Sequence, residues 1–143
     1  MIEPTYESPC GTVKLWLGDA YATVASWNCA EVSLLLVDPP YELVASGGGI
    51  GAKRQYLSDI EGFTDDGFDM SILGNFDNWA CFCAKTQLIE LLLKAEAMPR
   101  WMLATWNKPN PTPLCNGNYL PDTEYIVHGF QSGRCFGDYR VVS

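Results

Sequence analysis

The chain has 143 residues, of which 48% are hydrophobic and 18% charged. That suits one globular domain with a sizeable core and excludes an intrinsically disordered segment. Nine Lys and Arg against seventeen Asp and Glu leave a net charge of −8. This excludes a nucleic-acid grip built on a generally basic surface, so phosphate contact would need a local basic patch or a partner.

In chain order, Val13–Leu17 is a short β-rich run ending at Gly18-Asp19, and Ala20–Trp27 can form a short helix. Val32–Val37 is a nearly continuous apolar run, which predicts a strand buried on both faces. It stops at Asp38-Pro39-Pro40-Tyr41, because two prolines cannot continue a central strand. Glu42–Phe68 reads as a long loop holding Gly47, Gly48, Gly49 and Gly51, then Lys53-Arg54. Loops of that length inside a domain are usually functional or mobile. Met70–Phe76 is predicted helical and Asn78–Ala84 a strand. Thr86–Met98 is the clearest helix, with Leu88, Leu91, Leu92 and Ala95 at helical spacing and Pro99 as its stop. Trp101–Trp106 is predicted as a strand, Asn107–Pro121 as a Pro/Asn-rich loop and Thr123–Phe130 as a last strand. Strands alternating with helices predict an α/β fold whose mostly parallel sheet carries flanking helices. Ligands then bind at the carboxyl ends of strands, where Asp19, Asp38 and the loop after Trp106 are expected.

The six cysteines do not read as a disulfide framework. Cys81 and Cys83 lie two apart on one predicted strand, which places both thiols on one face, in the core. There is no Cys-x-x-Cys pair and His128 is the one histidine, so no metal site is expected. Reduced cysteines, and an N-terminus Met1-Ile2-Glu3-Pro4-Thr5 without the regions of a signal peptide, point to a cytoplasmic protein. No apolar stretch reaches the roughly eighteen residues of a membrane span.

Asp38-Pro39-Pro40-Tyr41 after an apolar strand is the sharpest motif. An ordinary Pro-Pro turn at a strand end would give the same tetrapeptide, so its weight comes from its context. Gly18-Asp19 precedes it by about one strand–helix unit. The Gly-rich stretch Gly47 to Gly51 follows it. Then come Trp79-Ala-Cys-Phe-Cys-Ala-Lys-Thr-Gln87, Trp106-Asn-Lys-Pro-Asn-Pro-Thr-Pro113 and Asp122-Thr-Glu-Tyr125.

In this order and over most of residues 13 to 140, the chain resembles the amino-group DNA methyltransferases of the Asp-Pro-Pro-Tyr type, in their phage and prophage forms. The resemblance implies a partial Rossmann-like methyltransferase fold and S-adenosylmethionine as cofactor. It also implies a flipped-out adenine (N6) or cytosine (N4) as the target. An aromatic amine is a poor nucleophile because its lone pair is delocalised into the ring. A carboxylate and a carbonyl that accept its two N–H bonds favour a pyramidal, nucleophilic nitrogen. The resemblance assigns those roles to Asp38 and the Pro39 carbonyl, held rigidly by Pro39 and Pro40, and has Tyr41 stack on the base. It places Gly18, Asp19 and Asp38 near the cofactor. Lys53, Arg54, Lys108 and Arg134 are the candidates for phosphate contact.

The family also grips the methionine end of its cofactor with a Phe-x-Gly-x-Gly-like turn that has no counterpart here: Gly47-Gly-Gly-Ile-Gly51 lacks the preceding strand, and Phe136-Gly137 is too short. The expectation is therefore a target-base half, incomplete alone and completed by a complementary subunit or by homo-oligomerisation. An exposed sheet edge should accompany it. The alternative is an acidic, methyltransferase-derived binding protein, such as a phage inhibitor of a host nuclease, because an acidic surface can occupy a DNA channel. Pro9-Cys10 as a cytosine-C5-type nucleophile follows no strand. His128, needed for any hydrolase triad, is expected mid-strand in a structural role.

Overall fold

A computed structural model describes residues 2–39, 68–109 and 122–132. The chain begins with a hairpin of β1 (Tyr6–Glu7) and β2 (Lys14–Leu15), paired antiparallel. Helix α1 (Ala20–Ala25) follows. After a 3₁₀ turn at Cys29–Glu31 comes β3 (Leu35–Val37). A 3₁₀ helix, Met70–Asn75, leads into β4 (Asn78–Cys83). Helix α2 (Leu88–Glu96), β5 (Arg100–Asn107) and β6 (Thr123–Phe130) complete the described elements.

Strands β3 to β6 form one sheet in the order β3-β4-β6-β5. β3 and β4 are parallel, and β6 is antiparallel to both β4 and β5. Three of the four strands therefore run the same way, and β6 slots between β4 and β5 in the opposite direction. The expected α/β class with a mostly parallel sheet holds. The antiparallel insertion of β6 departs from a simple alternation of parallel strands and helices. It sets the carboxyl ends of β3, β4 and β5 at one end of the sheet, beside the start of β6.

Side chains alternate along strands and opposed residues share a face. One face thus carries Leu35, Val37, Trp79, Cys81, Cys83, Tyr125 and Val127. Against it lie Leu91 and Ala95 of α2 and Met70 and Leu73 of the 3₁₀ helix, forming the core. The helical periodicity read from the sequence is the reason: Leu88, Leu91, Leu92 and Ala95 make one stripe on α2, and all four join this cluster. Glu90 in the first turn and Lys94 in the last oppose the helix dipole favourably. Both thiols of Cys81 and Cys83 are buried, as the strand alternation required.

Two expectations need correction. Val13–Leu17 does not enter the main sheet: only Lys14–Leu15 is strand, and it pairs with β1. Gly18-Asp19 therefore follows a separate hairpin rather than a strand of the four-stranded sheet. Nor is Val32–Val37 a strand buried on both faces. Its strand is Leu35–Val37, and Leu36 is 63% exposed. An apolar run does not show how many of its faces are covered, and among the described residues it is Leu35 and Val37 that pack against the core cluster.

Candidate functional site

Of the residues that the sequence singles out, Asp38, Pro39, Trp106 and Lys108 lie at the carboxyl ends of β3 and β5. β3 ends at Val37, so Asp38 continues its alternation onto the face of Leu36, one register step beyond the Val37–Cys81 pair and beside Phe82. Asp38 is exposed and Pro39 buried. Asp38 thus stands at the carboxyl end of β3. The charge of Asp38 reaches into the core: burial first, then Cys83 and Asp38, push the Cys81 thiol up to about 12. Burial likewise raises Cys83 to about 11. Neither thiol is a nucleophile at neutral pH.

On the same face, the Phe82 and Trp106 rings meet edge-on with centroids 6.0 Å apart. Trp106 is 52% exposed, so it belongs to the surface of this edge and not to the core. Lys108 forms an ion pair with Glu124, and its ammonium lies 6.0 Å from the centroid of the Trp106 ring. The Lys108 backbone N–H donates to the Asp122 carbonyl at 2.6 Å. A lysine named as a phosphate contact is thus engaged by a carboxylate and an indole. Sequence reading missed this cluster because it depends on the antiparallel register that sets Trp106 opposite Glu124. The signal available was the adjacency in sequence of two β-rich runs, Trp101–Trp106 and Thr123–Phe130, which pair antiparallel.

Asp19 has a second occupation. It is the N-cap of α1, its Oδ1 accepting from the Ala22 N–H at 2.7 Å. Such a cap satisfies one of the orphan donors of the first turn. Gly18 precedes it at φ +153, a conformation that side chains disfavour. Pro40, Tyr41, Lys53, Arg54, Arg134 and the glycines from Gly47 to Gly51 lie outside the described residues.

A cleft of about 520 Å³ lies elsewhere, between the N-terminal segment and the Trp16–Trp27 pair, with Glu3, Lys14 and Glu31 on its walls. No residue of the four-stranded sheet lines it. His128 sits mid-strand on β6, its ring 4.8 Å from that of Phe130, and burial lowers its pKa.

No family model matches the chain, and no curated protein sequence matches it. Among solved structures, the M1.HpyAVI–SAM complex superposes with a TM-score of 0.52 and 15% identity over 90% of this chain. The two share a fold. The chain therefore has a methyltransferase-like α/β fold, and it spans 60% of the length of that protein. No helix among the described residues is long and apolar enough to cross a membrane.

Proposed function

We propose that the chain forms the target-base side of an S-adenosylmethionine-dependent methyltransferase acting on an exocyclic amino group of DNA, adenine N6 or cytosine N4. The observation that carries this reading is the exposed Asp38 followed by buried Pro39 at the carboxyl end of β3. It occurs in a fold shared with a protein crystallised with SAM.

Asp38 accepts one N–H of the target amine and the Pro39 carbonyl the other. Together they favour a nitrogen whose lone pair is available for attack. Proline fixes its own φ, so that carbonyl is aimed before the base arrives, and this preorganisation favours the transition state over the ground state. Tyr41 stacks on the flipped base, and Phe82 and Trp106 wall the same edge. Lys53, Arg54, Lys108 and Arg134 are the cations offered to phosphate, with Lys108 exchanging Glu124 for it.

The fit to the cofactor is partial. The carboxyl edge of the sheet is where folds of this type take nucleotide ligands, and Asp38 stands there. Asp19, by contrast, already spends one carboxylate oxygen as a helix cap. When bound, S-adenosylmethionine supplies an electrophilic methyl group. Gly18 and Asp19 would hold its adenosine part, and its methionine end would need a Phe-x-Gly-x-Gly-like turn that residues 1–143 do not contain.

The test is calorimetric titration of S-adenosylmethionine into the chain, alone and with a captured partner, followed by methyl transfer to unmethylated DNA. Saturable binding and transfer that Asp38→Ala abolishes, with the circular dichroism spectrum unchanged, is the expected result. Transfer retained in Asp38→Ala would overturn it. The net charge of −8 favours a second reading, an acidic binding protein directed at a DNA-binding enzyme. That reading expects no cofactor heat and inhibition of a nuclease instead.

A further inference from the structure

β5 is an eight-residue strand with a single ladder, to β6. Its outer edge therefore offers a row of backbone donors and acceptors unpaired among the described residues. Proteins usually blunt such an edge with proline, inward charges or short length. β5 has no proline and no acid, and its one charge is Arg100 at its start. Trp101, Met102, Leu103 and Trp106 are 42%, 49%, 43% and 52% exposed. On a chain of net charge −8, a strip free of acids lets two copies meet without opposing carboxylates, and β5 is such a strip.

We propose that β5 pairs antiparallel with β5 of a second copy about a two-fold axis at Leu103, joining two four-stranded sheets into one continuous sheet. A two-fold axis normal to a sheet keeps each face on its own side, so opposed residues must share a face. Centred on Leu103, Arg100 meets Trp106 of the second copy, Trp101 meets Thr105, Met102 meets Ala104, and Leu103 meets itself. Trp101 and Met102 then each oppose a smaller side chain, the two leucines meet at the axis, and both ends set a cation over an indole. Centring on Ala104 sets Arg100 against Lys108, a like-charge pair. Centring on Met102 sets Trp101 against Leu103 and leaves Trp106 without a counterpart. Charge and size together select the Leu103 register.

The experiment combines mass and register. Light scattering behind gel filtration, over a concentration series of the full chain, should show a species approaching twice 15.8 kDa. A monomer at every concentration overturns the proposal. Across the axis the two Leu103 Cα atoms would lie about 4.5–5.5 Å apart, within disulfide reach. The two Thr105 positions would be about 13 Å apart. Under mild oxidation Leu103→Cys should therefore form a reducible dimer well above the parent's level, and Thr105→Cys should not. Equal cross-linking of the two variants, or none beyond the parent, overturns the register. Leu103→Lys opposes two cations at the axis and should weaken dimerisation at least about tenfold, with the helix and strand signals retained. An unchanged dimer in Leu103→Lys places the interface elsewhere.

Discussion

Gly129→Ala tests the packing at the centre of the sheet. Gly129 on β6 stands between Trp79 of β4 and Trp101 of β5. A Cβ there would lie 2.6 and 2.7 Å from Cζ2 and Cε2 of Trp79 and 2.9 Å from Cγ of Met98. Trp79 is 1% exposed, so its indole has no free space to retreat into. Gly129 does not need the left-handed backbone region, because positive φ values occur only at Gly11 and Gly18 among the described residues. Alanine at such a position would ordinarily stabilise by about 0.4–1 kcal/mol through the unfolded chain. Overpacking a filled core costs about 1–3 kcal/mol or more, so the clash wins and the variant should lose roughly 1–3 kcal/mol net. Urea unfolding followed by far-ultraviolet circular dichroism measures this as a lower midpoint at unchanged slope. In a Trp79→Leu background the same substitution should be near neutral or favourable, giving a coupling of about 1 kcal/mol or more. If Gly129→Ala alone proves as stable as the parent, the account of Trp79 filling the space over Gly129 is wrong.

Asp19→Ala should cost about 0.5–2 kcal/mol through the lost cap of α1, whereas Asp19→Ser keeps a capping oxygen and most of that stability. Cofactor affinity that is unchanged in Asp19→Ser would remove Asp19 from the cofactor site. Burial holds the His128 pKa below its ordinary value, so below about pH 6.5 the unfolded chain binds this proton more readily than the folded one. Its contribution to stability is complete above that pH and is lost as the pH falls through it. His128→Gln should flatten that limb of the stability curve, and an unaltered limb would contradict the assignment. Ser8 and Thr12 hydrogen bonds lower the exposed Cys10 thiol to about 7. Iodoacetamide at neutral pH should therefore alkylate Cys10 before Cys29, Cys81 and Cys83, as peptide mass spectrometry would show. Early labelling of Cys81 or Cys83 would mean that β4 opens readily.

The sequence by itself determined the elements whose signal is local. The leucine stripe of α2, the core placement of Cys81 and Cys83 and the strand Thr123–Phe130 follow from periodicity alone, because burial on one face imposes 3.6- and 2-residue repeats. The end of β3 at Asp38-Pro39 is equally local, since proline cannot extend a ladder. What only the tertiary structure decided is non-local. The apolar run before Asp38 does not encode how many of its faces are covered, and Leu36 shows that one remains open. The Lys14–Leu15 strand carries no mark of which sheet it joins, and it pairs with β1 instead of β3. The slot of β6 between β4 and β5 sets Trp106 and Lys108 against Phe82 and Glu124, a cluster that depends on register between segments sixteen or more residues apart. Such pairings are fixed by the competition of whole strands for partners, which no short stretch of sequence contains.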